Sequence, residues 1–387
     1  MYDALIIGAG FAGAVTARRL AEEGNLRVLV LERRSHPGGN AYDCPDEAGV
    51  LIHRYGPHIF HTNDRRVYDY LSRFTRWRDY PHKVVASIPD GRGGRMEYPV
   101  PFNLDSLEAA FGLEEGRRLG EKLMAVYGAE KKVTILELRQ SADPEIAALA
   151  DYVYEHVFVH YTMKQWGTTP EEIDPNTTAR VPVFLSRDCR YFQDTYQGMP
   201  LEGYTPIFAR MLDHPNIEVR LNTDARTLLE LSGDIPLFAG APFPGPIVYT
   251  GAADELFGCV HGRLPYRTLD FAFETKPVDF FQSHGTVNYT VDEDFTRITE
   301  FKHMTGQTLP GVTTIVREYS RAYTGADGET PYYAIINEAN NALYGKYAAM
   351  AARHENLHLL GRLAEYKYYN MDAIVAQALS LSDRLLK

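Results

Sequence analysis

Four consecutive apolar residues, Ala4 to Ile7, end at Gly8; Ala12 to Glu23 then reads as a helix, and a second apolar run follows from Val28 to Leu31. Strand, helix and strand in that order predict a βαβ unit. A short amphipathic pattern runs from Arg65 to Phe74. Next, the β-favouring stretches Lys83 to Ile88 and Met96 to Val100 flank the turn-prone Asp90-Gly-Arg-Gly-Gly94, which predicts a hairpin.

Between Asp105 and His160 the pattern becomes helical, and Pro144 suits the first turn of a helix that Asp143 can cap. The polar stretch Gly167 to Thr178, carrying Pro170 and Pro175, reads as a mobile loop leading into Ala179-Arg-Val-Pro-Val-Phe. Ile217 to Leu221 and Ile247 to Gly251 are expected as further strands of the opening unit, with a helix from Ala252 to Phe257. Tyr266 to Glu274, Gly285 to Thr290 with the segment near Arg297, and Val312 to Tyr319 predict an antiparallel sheet. The tail returns to helix (Glu338 to Arg353), strand (Leu357 to Leu360) and helix (Met371 to Leu386).

A chain of 387 residues carries a prior of two or three domains. Its 45% hydrophobic and 24% charged residues are ordinary for a folded soluble protein and disfavour disordered, collagen-like and coiled-coil readings. With 40 basic against 51 acidic side chains, the net charge of −11 excludes a broadly basic surface for a nucleic-acid polymer or an anionic membrane, so an anionic ligand has to be met by a local cluster. The 26 tyrosines outnumber 18 phenylalanines and 2 tryptophans, which weights the aromatic set toward rings that also hydrogen-bond. Cys44, Cys189 and Cys259 are too far apart for a zinc motif and odd in number for a disulfide framework, which fits a reducing compartment. Without a basic leader or a membrane-length apolar run, the expected location is the cytoplasm, with no membrane insertion.

Gly8-Ala-Gly10-Phe-Ala-Gly13 matches the dinucleotide fingerprint in the context that gives it meaning, after a strand and opening a helix. The helix amides face a pyrophosphate, and Glu32, at the end of the second strand, can accept from ribose hydroxyls. A second glycine pair follows in Arg33-Arg-Ser-His-Pro-Gly38-Gly39-Asn40, which resembles the two-part signature of the large FAD family that includes amine oxidases and favours FAD over NAD. Near the C-terminus Gly361 follows a short strand and a helix starts about ten residues on, where its positive end can stabilise a reduced flavin ring.

Six motifs then make the resemblance specific. Gly39-Asn-Ala-Tyr42, Tyr55-Gly-Pro-His58-Ile-Phe-His61-Thr-Asn63, Tyr161-Thr-Met-Lys-Gln165-Trp166-Gly167, Arg180-Val-Pro-Val, Tyr191-Phe-Gln-Asp-Thr-Tyr-Gln-Gly198 and Gly361-Arg-Leu-Ala-Glu-Tyr-Lys-Tyr-Tyr369 resemble, in order, the bacterial UDP-galactopyranose mutases. The resemblance implies a redox-neutral isomerase of UDP-galactose that interconverts the pyranose and furanose forms on reduced FAD through a covalent flavin N5–sugar adduct, supplying galactofuranose for cell-surface glycans. It also implies a homodimer. The fold class expected is α/β: a Rossmann-like FAD-binding domain (1–77, 201–260, 326–387) with an inserted helical subdomain (103–166) and an antiparallel β-sheet domain (78–102, 167–200 with the mobile loop, 261–325).

Residue roles follow from the same resemblance. Arg180 and Arg297 match the two diphosphate arginines, whose forked donors suit a leaving group that gains charge, and loop closure would bring Arg180 in. Tyr161, Tyr191, Tyr332 and Tyr368 match positions that stack uracil or bond phosphate, Trp166 matches a residue near the sugar on the mobile loop, and Asn288 and Asn370 join the substrate set. Gly8, Gly10, Phe11, Gly13, Glu32, Arg33, Gly39, Asn40, His58, Ile59, Arg267, Gly361, Arg362 and Met371 are assigned to the cofactor. His58, which invites a catalytic label because imidazole titrates near neutrality, tunes the flavin or its backbone. His53, His58 and His61 lack a supporting cysteine or carboxylate constellation, so no metal is expected. Where many relatives read Tyr-Tyr-Asp-Met this chain has Tyr368-Tyr369-Asn370-Met371, which removes a carboxylate. Two competing readings are a flavin oxidoreductase of the amine-oxidase kind and a non-enzymatic binding protein like the GDP-dissociation inhibitors; intact Gly8, Gly10, Gly13 and Glu32 argue against the latter.

Overall fold

The computed structural model describes residues 2–167 and 182–387. At its centre lies a five-stranded sheet in the order Ile217–Arg220, Val28–Leu31, Ala4–Ile7, Ile247–Tyr249, Leu357–Leu359, with every pair parallel. Strands made wholly of apolar residues need cover on both faces, as parallel sheets do. Val28–Leu31 and Ala4–Ile7 are buried along their whole length. The helices Phe11–Glu23 and Met371–Leu385 cover one face, packing Ala14, Ala17 and Leu20 with Val375, Ala378 and Leu379 in one core. Arg19 also reaches across to Asp383 at 2.9 Å.

A seven-stranded sheet forms the second body, ordered Tyr333–Ala334, Tyr266–Lys276, Thr313–Ala322, Arg297–Glu300, Thr286–Tyr289, Val84–Pro89, Arg95–Val100. It is antiparallel as expected except for one pair, Thr286–Tyr289 beside Val84–Pro89, which is parallel. Those strands are separated by nearly two hundred residues of intervening chain. No hairpin turn dictates their relative direction, whereas Val84–Pro89 and Arg95–Val100 do close the expected hairpin.

The helical segment packs on that hairpin, with Leu119, Leu123, Ile146, Leu149 and Val153 meeting Val84, Ile88, Tyr98 and Val100. Asp143 caps the helix Pro144–Val153 through the amides of Glu145 (3.0 Å) and Ile146 (3.4 Å). The helix Val159–Trp166 ends this segment at Gly167.

The stretch 182–200, expected to belong with the loop and the antiparallel sheet, goes elsewhere. Val183–Phe184 pairs with Lys132–Val133 of the helical segment. Tyr196–Pro200 is the middle strand of a small antiparallel sheet between Phe60–Thr62 and Trp77–Asp79. These strands are too short to show alternation, so the pattern did not reveal them. Among the described residues, no helix is long and apolar enough to cross a membrane.

Candidate active site

A cavity of about 780 Å³ opens at the C-terminal edge of the parallel sheet and runs to the face of the seven-stranded sheet. Its near end is made by the turn after the first strand. A Cβ on Gly13 would lie 1.9 Å from the carbonyl oxygen of Gly8, and one on Gly8, at φ 103°, would lie 2.0 Å from Thr250 Oγ1. Only glycine lets this turn close. Gly8, Gly10 and Phe11 line the cavity, whereas Gly13 packs behind them against the strand.

Glu32 is buried at the end of its strand, where Oε2 accepts from the amide of Ala9 (2.9 Å) and Oε1 from that of Arg34 (2.9 Å). Arg33 pairs with Glu255 at 3.2 Å, and Glu255 also accepts from Tyr323 (2.9 Å). Gly39 and Asn40 complete this end, Asn40 accepting from Arg34 Nη2 at 2.9 Å. Glu255 and Arg226 line it too, and no local spacing in the sequence announces either.

In the middle, His58 and Ile59 meet Gly361, Arg362, Asn370 and Met371 at the start of the last helix. The amide of His58 donates to His53 Nδ1 (3.0 Å), and His58 Nδ1 lies 2.9 Å from the carbonyl of Gly56. Burial pushes the His58 imidazole down to about 3. It is therefore neutral near neutrality, which removes the reason for a titrating role and leaves a positioning one. Asn370 precedes the last helix but its side chain makes no capping bond.

The far end is built by Tyr161, Tyr191, Asn288, Arg297, Tyr332, Tyr333 and Tyr368, all of which line the cavity. The Arg297 guanidinium lies 2.8 Å from Glu318 Oε1, and Glu318 is fully buried. Burial opposes the charge on Arg297, but Glu318 and, after it, Tyr161 and Tyr333 outweigh it and raise its pKa. Burial raises the Tyr161 and Tyr332 phenols, which stay neutral donors. Arg362 lies over the rings of Tyr368 (4.5 Å) and Tyr333 (5.4 Å). The anticipated positive pocket is thus partly neutralised by a carboxylate, and Glu318 and Tyr333 were missed. Tyr333 had a signal in its neighbour Tyr332; Glu318 had none.

Three assignments change or fall away. Arg267, expected beside the flavin, does not line the cavity. It is buried under the helix Val159–Trp166, donating from Nε to the carbonyl of Gln165 (3.1 Å) and from Nη2 to that of Lys164 (3.3 Å), while Ser320 Oγ donates to Gln165 O (2.7 Å). The negative end of that helix supplies the acceptors a buried guanidinium needs. Trp166, expected on the loop near the sugar, belongs to the last helical turn and packs on Tyr333 at 5.7 Å instead of lining the cavity. Arg180 and most of the expected mobile loop lie outside the described residues.

Several cavity-lining polar atoms are buried without a hydrogen-bond partner: Arg34 Nη1, Arg362 Nη2, Asn288 Oδ1 and Glu318 Oε2, the carboxylate oxygen that Arg297 does not meet. Orphaned groups of both signs along one cavity are what an elongated polar ligand would satisfy. Glu32 at a strand end, the Gly8–Gly13 turn and the helix starting at Met371 fit a dinucleotide flavin in the near and middle parts.

Comparison with known proteins agrees with this geometry. Residues 156–368 match the family model described as UDP-galactopyranose mutase, and residues 6–74 match an NAD(P)-binding Rossmann-like domain. The chain is 36% identical to the UDP-galactopyranose mutase of Mycoplasma pneumoniae, covering 100% of this chain and 96% of that one. It is 33% identical to the dTDP-fucopyranose mutase of Escherichia coli, covering 100% and 99%. The crystal structure of a reduced UDP-galactopyranose mutase superposes with a TM-score of 0.72 at 16% identity, over 100% of this chain and 94% of that one. A putrescine oxidase shares the fold at a TM-score of 0.57 and 14% identity.

Proposed function

The chain belongs to the UDP-galactopyranose mutase family, and we propose that it interconverts UDP-galactopyranose and UDP-galactofuranose on reduced FAD, without net redox change, supplying galactofuranose for surface glycans. The observation that carries this reading is the continuity of one cavity from the Gly8–Gly13 turn to the Arg297–Glu318 pair. A flavin end and a phosphate end open to each other leave room for a sugar between them.

When bound, reduced FAD supplies a nucleophile for the anomeric carbon through N5. Gly8, Gly10 and the amides of the first helix receive the pyrophosphate, and Glu32 the ribose hydroxyls. Arg33, Gly39, Asn40, His58, Ile59, Gly361, Arg362 and Met371 shape the rest of the cofactor bed. Tyr161 and Tyr191, with Asn288, hold the uridine. Arg297 faces the diphosphate. As the anomeric bond breaks the diphosphate gains a negative charge, and a guanidinium already held in place by Glu318 meets it without reorganisation. Arg180 is proposed as the second cation, while Tyr332 and Tyr368 donate to phosphate oxygens and Asn370 borders the sugar. Arg267 and Trp166 act by holding the helix that carries Tyr161. The division into FAD-binding, helical and sheet domains and a homodimeric state belong to the same reading.

The test is a chromatographic assay of purified protein, yellow with bound flavin, after dithionite reduction. UDP-galactofuranose should convert to UDP-galactopyranose over many turnovers with no reductant consumed per turnover. Product only in proportion to reductant consumed would overturn the mutase mechanism, stoichiometric oxidation of the substrate with turnover of an oxidant would indicate an oxidoreductase of the amine-oxidase kind, and absence of bound flavin a binding protein. Because the Escherichia coli relative acts on a dTDP-linked 6-deoxy sugar by its name, dTDP-fucofuranose is assayed in parallel; faster conversion of that sugar would reassign the substrate but not the reaction.

A further inference from the structure

His61 and Asp194 form a pair that the reading above leaves unused. His61 Nδ1 lies 2.6 Å from Asp194 Oδ2, and Asn63 Nδ2 donates to the other carboxylate oxygen at 2.5 Å. Asn63 is held in turn, its Oδ1 accepting from the amide (2.8 Å) and hydroxyl (3.0 Å) of Thr195. The small sheet makes this possible, because its register sets Gln197 opposite His61 and so brings the 191–198 segment against the histidine strand. The imidazole stacks on Phe192 with centroids 3.5 Å apart and planes 12° apart. A carboxylate on one side and a ring beneath fix the orientation of the histidine, and a carboxylate at Nδ1 favours the tautomer in which Nε2 is the free acceptor.

That nitrogen has no hydrogen-bond partner among the described residues, is not enclosed, and belongs to a residue lining the cavity. His61 follows three residues after His58, in the middle of the cavity. Phe192 links it in the other direction to His82, at 6.1 Å, on the Arg297 side. His58, His61, His82 and Arg297 line the same cavity, so a hexose joined at its anomeric carbon to a diphosphate on Arg297 and turned toward the flavin end lies in a space that His61 borders.

We propose that His61, oriented by Asp194, is the acid–base residue for opening and closing the hexose ring, an inference that rests on the mutase reading. Pyranose to furanose, the C1–O5 bond breaks, its electron pair goes to O5, and O5 takes the proton of protonated Nε2. O4 then attacks C1, and its proton passes to the now neutral Nε2 as the C1–O4 bond forms. One proton is given and one returned, so the histidine ends as it began and no oxidant or reductant is consumed. Asp194 holds the Nδ1 side and so fixes which way Nε2 points, as the carboxylate does in other histidine–carboxylate pairs.

Substrate labelled in the oxygen between C1 and the β-phosphate separates the two halves of the reaction. Breaking and remaking that bond scrambles the label into non-bridging positions without opening the ring; isomerisation needs both halves. In reduced holoenzyme, His61→Ala should slow isomerisation by about 100-fold or more while label scrambling stays within about 3-fold of the parent. Asp194→Asn should show the same split with a smaller loss. Equal loss of both reactions overturns the proposal, as does isomerisation near the parent rate. If His61→Ala loses its flavin absorbance, Asp194→Asn, which keeps the imidazole, decides by the same two rates. A parent protein that scrambles label but never isomerises would instead refute the mutase reading, and one that does neither refutes it as well.

Discussion

Under the Gly8–Gly13 turn the groups available to an anion are backbone amides at the start of the helix Phe11–Glu23, whereas at the far end they are the side chains of Arg297 and the tyrosines around it. The first kind of site is set by one continuous turn and helix start, and the amides that meet the anion carry no formal charge of their own. The second draws Tyr161, Asn288, Arg297, Glu318 and Tyr333 from separate segments, and balances a buried cation against a buried carboxylate. A site of backbone dipoles tolerates changes of side chain but no change in the path of the chain. A site of paired charges is the reverse: the backbone is ordinary strand and helix, and Arg297 and Glu318 each matter through the other.

The largest effect should come from breaking the near end at its tightest point. Gly13→Val places side-chain atoms where the Gly8 carbonyl already lies within 1.9 Å of a Cβ. The turn has to open, at a cost of about 3 kcal/mol or more. The purified variant should lack flavin absorbance and melt well below the parent; retention of flavin at parent stability would show that the turn is not so constrained.

Next in size is the far end. Arg297→Ala should leave flavin bound but abolish most turnover, and should also destabilise the protein by about 3 kcal/mol because Glu318 remains buried without its partner. The double change Arg297→Met with Glu318→Gln should recover most of the stability and none of the activity. Recovery of neither would mean that the pair is not the reason for the loss. Arg180→Ala, by contrast, should lose turnover with no change in melting if its role is confined to the diphosphate.

The same contrast explains what could be read from the sequence. Gly8, Gly10, the helix Phe11–Glu23 and Glu32 fall within a single βαβ stretch, so spacing alone carries their geometry, and Asp143 announces its cap by sitting before Pro144. Glu318 lies on a strand whose other residues are ordinary sheet formers, and only the pairing of Arg297 with Glu318 across neighbouring strands makes it part of a site. Arg267 shows the opposite error. An arginine near a flavin motif suggests a ligand, but its guanidinium is spent on the carbonyls of Lys164 and Gln165, a partnership between residues a hundred positions apart. His61 and Asp194 were visible as motif letters, yet their bond depends on a three-stranded sheet that no periodicity predicts.

Acid should stress both ends together. Burial pushes His53, beside the flavin bed, and His82, beside Arg297, down to about 3, whereas in the unfolded chain each returns to 6.5. The unfolded state then binds more protons between those values, so the stability from keeping these rings neutral is complete above about 6.5 and is lost as pH falls toward 3. Each contributes a slope of up to about 1.4 kcal/mol per pH unit in that window. Denaturant titrations between pH 7 and 4 should show the decline, and His82→Asn should flatten it; an unchanged slope in that variant would mean that His82 is not held neutral.

The smallest expected effect lies where the two kinds of site meet. Asn370 stands at the N-terminus of the helix Met371–Leu385, exposed and making no capping bond, on the wall of the cavity. In Asn370→Asp a negative charge meets the positive end of the helix and should stabilise it by about 0.5 kcal/mol, a rise of about 1 °C in melting temperature. The same charge also faces the space assigned to an anionic substrate, so UDP affinity should fall by about twofold at low salt and recover at high salt. Stability and affinity thus move in opposite directions in one variant. Calorimetric titration of UDP at two ionic strengths, beside a melting curve, reads both; an affinity that ignores salt would assign this residue to the backbone-dipole end and remove it from the electrostatics of the substrate.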